Sequence, residues 1–322
     1  MSLIIIIFQH FYLIGMKKTS LKKTIMGVDI GGTKIAFALV SSGRLMTPVY
    51  TVKTPKGEKI LNVVGKFYEK FSKKYLISGI GISTAGMVSN SGRIVGSTGN
   101  IPGWQGTKVK EILQKKYRLP VIVENDANAA AYAEYQIGSA RGANPLLMIT
   151  LGTGVGGGIV VNGKLVRGAH FAGGEIGHIK LSYTKQRLCT CGRYDCLEAY
   201  ASGNGLLALI KHYFPDKYKK ITTRDLFKLS KLKKKDSIFA VRAIEDWHFY
   251  IAEGICNLFQ VFDPEKIILS GGLSSEVDIK YLQKLTETMV LPALEKSIYI
   301  EKSVLSNDAG LLGAALLTSQ SL

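Results

Sequence analysis

Acidic residues, cysteines and long apolar runs are all in short supply in this chain of 322 residues. With 24 Asp and Glu against 42 Lys and Arg, the formal charge is +18. Such an excess raises nucleic acid as a partner. It is mostly lysine, however, spread over Lys17 to Lys23, Lys108 to Lys116 and Lys211 to Lys235. No aromatic interleaving or helix-turn-helix pattern accompanies it, so it reads as solvated surface, with no nucleic-acid site expected. The charge still helps to gather anionic substrates. Four cysteines and no secretion signal point to a reducing cytoplasm and exclude a disulfide scaffold. The N-terminus, "MSLIIIIFQHFYLIG", is apolar for about a dozen residues, short of the ~18 that a membrane span requires. It also lacks the basic start and small-residue cleavage site of a secretory signal. Met16 reads as a better translation start, and residues 1–23 are expected to be an extension outside the fold. A membrane anchor is the less favoured alternative.

Two phosphate-binding signatures are missing as well. No G-x-x-x-x-G-K-[ST] loop opens a helix, and no dinucleotide fingerprint joins a strand to a helix. Glycine is nevertheless abundant, at 35 residues where a usage of about 7% would give roughly 23. The glycines cluster at Gly31-Gly32, Gly152 to Gly158, Gly173-Gly174 and Gly271-Gly272, marking sharp turns or close approach to a ligand.

The chain alternates strand and helix signals, which makes it α/β. "IMGVDIGGTKIAFALVSSGRLM" (25–46) and "LLMITLGTGVGGGIVVNGKLVRG" (146–168) share one plan, a β-rich run broken by a Gly/Thr turn and resumed. A hairpin repeated about 120 residues further on implies a duplicated lobe. Helical stretches are expected at 60–75 and 108–117, with buried strands at 77–82 and 121–123. Ile238, Val241, Ile244, Trp247, Ile251, Ile255, Leu258 and Phe262 keep the spacing of one long amphipathic helix. Cys256 falls on its apolar face and reads as core packing.

The turn Asp29-Ile30-Gly31-Gly32-Thr33-Lys34 can aim backbone N–H groups at phosphate oxygens. Asp29, at the strand end, suits Mg²⁺ held through water. Gly152-Thr153-Gly154 offers the same device from the second hairpin, and Gly271-Gly272 adds a third glycine pair at a strand end. Together they point to nucleotide phosphates between two lobes. Asn125-Asp126 follows a short strand and precedes an alanine-rich helix. On the residues alone Asp126 reads first as a helix cap, and second as a carboxylate that orients an attacking hydroxyl.

Cys189, Cys191 and Cys196 lie within eight positions, with His178 upstream. A disulfide would leave one cysteine over, whereas Cys3His is a closed structural zinc set. All four ligands would then be occupied, which argues against a zinc-dependent hydrolase.

"DIGGTK", "ENDANAAA", "LGTGVGGG", "AGGEIGH", "CTCGRYDCLEAYASG", "LSGG" and "AGLLGAALL", in that order over about residues 25 to 317, resemble the motifs of the ROK family of bacterial sugar kinases and sugar-responsive repressors. The resemblance implies a two-lobed actin-like, ribonuclease-H-like ATPase fold with an interlobe cleft. The expected small lobe is 24–122 with the C-terminal helix 308–322, and the large lobe is 123–307. It also implies ATP, Mg²⁺ and structural Zn²⁺ as cofactors, with Asp126 as catalytic base. Asn125, Asp126, Glu175, His178 and Glu198 would bind sugar hydroxyls, with Gly86 and Thr98 as weaker candidates. The implied function is transfer of the ATP γ-phosphate to the 6-hydroxyl of a hexose, with glucose first and N-acetylmannosamine or N-acetylglucosamine second. Homodimers are common in the family. A sugar-sensing repressor is the alternative of another class. Only 28 residues precede Asp29, however, and the first 15 are apolar, which leaves little for a DNA-binding module. One departure stands out: Asp195 occupies the place of the glycine that normally precedes the third cysteine. Asp tolerates left-handed backbone, so the loop is expected to survive.

Overall fold

A computed structural model describes residues 23–96, 101–232 and 234–322. Thr98 and all but the last residue of the expected N-terminal extension lie outside the described residues.

The first sheet starts with β1 (Thr24–Ile30), which turns antiparallel into β2 (Lys34–Ser41). Both strands are nearly continuous apolar runs, because each is covered on both faces. The short β3 (Arg44–Leu45) and β4 (Tyr50–Lys53) pair with β2. On the other side β1 is joined in parallel by β5 (Gly79–Thr84), through the crossover helix α1 (Lys59–Ser72). A two-stranded ribbon, β6 (Met87–Val88) with β7 (Ile94–Gly96), and helix α2 (Val109–Tyr117) lead to β8 (Val121–Asn125), parallel to β5. The expected lobe boundary at 122/123 falls inside this strand. β8 runs straight into α3 (Asp126–Ile137).

The second sheet repeats the plan. β9 (Leu146–Leu151) pairs antiparallel with β10 (Val155–Val161), and β10 with β11 (Lys164–Leu165). β12 (Lys266–Ser270) and β13 (Ile300–Lys302) then add in parallel. The similarity read from the two hairpins therefore extends through both sheets. Between β11 and β12 come α4 (Glu198–Ala201), α5 (Gly203–Tyr213), α6 (Thr223–Ser230) and α7 (Lys235–Phe262). α8 (Ile279–Glu287) crosses to β13, and α9 (Ala309–Gln320) closes the chain.

The long helix α7 is present, but its buried stripe differs from the expected one near its start. Ile238 is 59% and Val241 40% exposed, while Ser237, Ala240 and Ala243 face inward. α7 packs closely on α5 and α6 there, and small residues allow the approach. From Trp247 onward the expected face holds, with the indole Nε1 donating to the Ala201 carbonyl at 2.8 Å. Cys256 is part-buried against this core, its thiol directed at the Met289 carbonyl. No helix among the described residues is long and apolar enough to cross a membrane.

α3 and α9 each follow the last strand of one sheet and pack on the other. α9 lies across β1 and β5, where a methyl at Gly81 would come within 2.3 Å of the Ala314 carbonyl oxygen. α3 lies on β10, where a methyl at Gly158 would meet the Ala131 side chain at 2.5 Å. The two helices cross at Gly313, where a Cβ would stand 1.7 Å from the Ala129 carbonyl oxygen. Overpacking of this kind costs about 1–3 kcal/mol. Gly313→Ala is therefore expected to lower the unfolding free energy from urea titration by that amount and to shift the midpoint down, while Gly272→Ala, with nothing within 4 Å, leaves it in place. Equal midpoints for the two variants would show that the helices separate freely.

Candidate active site

Asn125 ends β8 and caps α3, its side-chain oxygen accepting the Asn128 N–H at 3.1 Å. Its Nδ2 donates to the Gly86 carbonyl at 3.1 Å. The cap expected of Asp126 thus belongs to its neighbour. Asp126 becomes the first residue of the helix, with Oδ1 accepting only the Ala127 N–H at 2.9 Å. Its side chain is exposed at the cleft, yet its carboxylate is crowded by surrounding protein. Loss of bulk solvation pushes its pKa above the usual carboxylate value, against the lowering effect of that hydrogen bond.

Asp126 lies in a cleft of about 350 Å³ with Gly86, Asn125, Glu175, His178 and Glu198, which brings together the expected sugar-facing set within the described residues. Glu175, itself pushed up by burial, has an oxygen 3.8 Å from His178 Nε2. Glu198 is more committed than expected. Its Oε2 accepts the Val155 N–H at 3.0 Å, and its Oε1 meets the Thr190 hydroxyl and, at 3.5 Å, the Cys189 thiol. A methyl at Gly154 would strike Glu198 Oε2 at 2.3 Å, so this glycine makes room for a carboxylate.

His178 Nδ1 faces away from the cleft, 3.7 Å from Cys189 Sγ, and Cys191 Sγ lies 3.8 Å from Cys196 Sγ. All four donor atoms fall within 4.8 Å of one another. Zn–S bonds of about 2.3 Å would set tetrahedral edges near 3.8 Å, so the donor set fits such an ion. Asp195 adopts φ 60°, the left-handed conformation anticipated for it. Its carboxylate accepts the backbone N–H groups of Lys185, Gln186 and Arg187 and the Tyr200 hydroxyl. Burial works to raise its pKa, but the hydrogen bonds from these four groups prevail and hold it below the usual value.

A second cleft of about 580 Å³ is lined by Gly152, Thr153, Gly203, Asn204, Tyr218 and Gly272, among others. Gly152 lines both clefts, and Gly271 lines the first, so the two spaces meet at these glycines. Gly271 has φ 87°, where side chains are strained, and a methyl there would lie 2.4 Å from the Leu151 carbonyl.

The turn Gly31, Gly32, Thr33 and Lys34 lines neither cleft. The Gly31 N–H closes the hairpin onto the Lys34 carbonyl at 3.0 Å and is spent, so it cannot join the expected phosphate cradle. The Gly152 N–H is likewise given to the Gly154 carbonyl. Asp29 also lines neither cleft. Burial, with help from the charge on Asp126, pushes its pKa up to about 6 against a 2.7 Å hydrogen bond from Ser83.

Thr150, Thr190, Glu124 and Arg167 were not singled out from the sequence. Glu124 adjoins the Asn-Asp pair and was open to notice. The other three are brought in by tertiary packing and leave no local signal.

The ROK family model matches residues 25–321. The glucokinase of Halalkalibacterium halodurans is 33% identical over 317 residues, covering 92% of this chain and 94% of that protein. The xylose repressor of Bacillus spizizenii is 31% identical over 241 residues, 74% of this chain and 60% of the repressor. Among solved structures, the ROK hexokinase of Thermus thermophilus superposes with a TM-score of 0.80 at 32% identity, over 92% of this chain and 98% of that one. The Streptomyces griseus ROK glucokinase in complex with glucose and AMPPNP gives 0.72 at 30% identity, over 92% and 99%. The fold is thus the two-lobed actin-like, ribonuclease-H-like ATPase fold.

Two outcomes follow from this geometry. Asp195→Gly keeps the backbone conformation but removes the carboxylate, and is expected to speed hydrogen exchange at the 185–187 amides roughly tenfold or more. Unchanged exchange would show that the loop holds without it. Asp29 keeps its proton up to about pH 6 in the folded chain, so an Mg²⁺ ion held by Asp29 would compete with that proton below pH 6. With the folded pKa raised from 3.8, metal-free stability through this group is present at low pH and is lost as pH rises towards 6. Thermal stabilisation by Mg²⁺ should therefore be larger at pH 7.5 than at 5.5, and the difference should vanish in Asp29→Asn. The same Mg²⁺ shift at both pH values would remove Asp29 from the metal site.

Proposed function

The chain belongs to the ROK family, and from that premise we propose that it is an ATP-dependent hexose kinase that phosphorylates the 6-hydroxyl of glucose. The observation that carries the reading is the meeting of two clefts at Gly152, with Asp126 on the floor of one of them. In this reading the nucleotide occupies the cleft of Thr153, Asn204 and Gly272, and its γ-phosphate reaches past Gly152 towards the sugar. Asp29 would hold Mg²⁺ through water, and the ion would supply charge neutralisation for the transferring phosphoryl group.

Asn125, Glu175, His178 and Glu198 orient the sugar hydroxyls. Carboxylates suit this task because each accepts from two adjacent hydroxyls. Asp126 receives the 6-hydroxyl, aligns it and accepts its proton late. A loose transition state asks little basicity of it, and its raised pKa brings it closer to that of a useful base. Zn²⁺ held by His178, Cys189, Cys191 and Cys196 would lock the imidazole, leaving Nε2–H to donate to a hydroxyl. The lobes 24–122 with 308–322 and 123–307 are proposed to close on the bound pair.

Glucose is favoured by similarity to glucokinases from two genera. Similarity to the N-acetyl-D-glucosamine kinase of Vibrio cholerae, at 30% identity over 306 residues, makes an N-acetylhexosamine the second acceptor to test. A purely sugar-sensing role is the reading of another class, supported by the repressor similarity. ADP release from Mg-ATP, measured on zinc-replete protein with glucose, mannose, fructose, N-acetylmannosamine and N-acetylglucosamine, separates these. Strong turnover with glucose is expected, and Asp126→Asn is expected to cut kcat by about 10³-fold or more while sugar affinity by calorimetry changes little. Sugar binding without turnover would favour the sensor, and near-normal turnover in Asp126→Asn would overturn the assigned base.

A further inference from the structure

Glu124 is 3% exposed, yet its carboxylate is saturated with donors. Oε1 accepts the Asn125 backbone N–H at 3.0 Å and Asn128 Nδ2 at 3.1 Å. Oε2 accepts Arg167 Nε at 2.7 Å and Nη2 at 2.6 Å. One oxygen thus holds the β8–α3 junction that carries Asp126. The other holds a residue beyond β11, in the second half of the chain.

Arg167 begins the loop that delivers the opposite wall of the cleft. Its carbonyl accepts the Gly173 N–H at 2.9 Å, doubling the loop back on itself. Gly174 is then pressed against Asn128 Oδ1 and the Gly157 carbonyl, where a Cβ would stand at 3.1 and 2.6 Å. Glu175 and His178 follow directly. Besides this close packing, the space between Asp126 and the Glu175 wall is bridged by one carboxylate and its guanidinium partner, neither of which lines the cleft.

We propose that Glu124 and Arg167 are a positioning pair that holds Asp126 and the Glu175–His178 wall in register across one acceptor. This rests on the kinase reading above. Misplacement of a reacting group by about 1 Å can cost 10²-fold in rate. A buried charged pair is also sensitive to loss of either member, because the survivor is left uncompensated.

The test compares the parent protein with Glu124→Gln, Arg167→Met, Arg167→Lys and the Glu124→Gln/Arg167→Met double variant. It measures kcat, KM for glucose and for ATP, zinc content and melting midpoint. Glu124→Gln and Arg167→Met are each expected to lower kcat by roughly 10–100-fold, with KM for ATP within about twofold and zinc retained. The double variant should be no worse than the poorer single one, because the two residues act as a unit. Arg167→Lys, which keeps a charge but not the fork, should recover part of the loss. Unchanged kcat, additive losses in the double variant, or losses that merely track the melting midpoint would overturn the pairing. Should the Glu124 variant fail to fold, Arg167→Lys decides alone, since that side chain is 36% exposed and its replacement leaves the core intact. A parent protein that turns over none of the five sugars overturns the kinase reading and this inference together, whereas an active parent with unaltered variants overturns the inference only.

Discussion

The contact of Gly313 with the Ala129 carbonyl is the constraint on which the rest of the molecule depends. Two helices of small residues meet there with no side chain between them, each resting on the sheet of the other half. That proximity brings the first turn of α9 against Asp29, with Gly310 leaving room for its carboxylate. Asp126, at the end of β8, stands one strand away from Asp29, at the end of β1, and its charge raises the pKa of Asp29. A bulkier crossing would force apart the two halves on which these helices rest and disturb the site without touching a single residue in it.

The charge of the molecule is distributed against its site. A chain of formal charge +18 gathers Asp126, Glu175 and Glu198 around one cleft, with Asp29 close enough to feel the charge on Asp126. Burial leaves Asp29, Asp126 and Glu175 above ordinary carboxylate pKa values, with repulsion from neighbouring carboxylates adding to it at Asp29 and Glu175. Such a pocket is unfavourable when empty and is relieved by cations or by hydroxyl donors. The surrounding lysines favour the approach of anions, while the floor itself offers acceptors. A magnesium nucleotide and a polyol answer both demands.

Much of this was legible in the sequence where chemistry and spacing coincide. The two hairpins could be read because glycine turns interrupt β-rich runs, and the cysteine cluster because its donors are close in the chain. The strand–helix junction at Asn125-Asp126 was equally plain, but which residue caps the helix was not, because either side chain can accept from the first turn. Gly156 and Gly158 look in one dimension like a continuation of the glycine turn and prove to be the bed on which α3 rests. The offset of the buried stripe at Ile238 was hidden for a related reason. Periodicity reports apolar residues, whereas close helix packing selects small ones. Glu124 and Arg167 are separated by 43 positions, and no local rule joins them.

The carboxylate of Asp195 gathers three successive amides of the cysteine loop and the Tyr200 hydroxyl. The loop is thus shaped by oxygen-to-amide contacts as well as by its sulfurs. Cys189 and Cys196 are already buried in place, and Cys191 alone stands open to solvent. An ion held by these residues would be open to solvent chiefly through Cys191, and thiol reagents would reach the cluster first from that side.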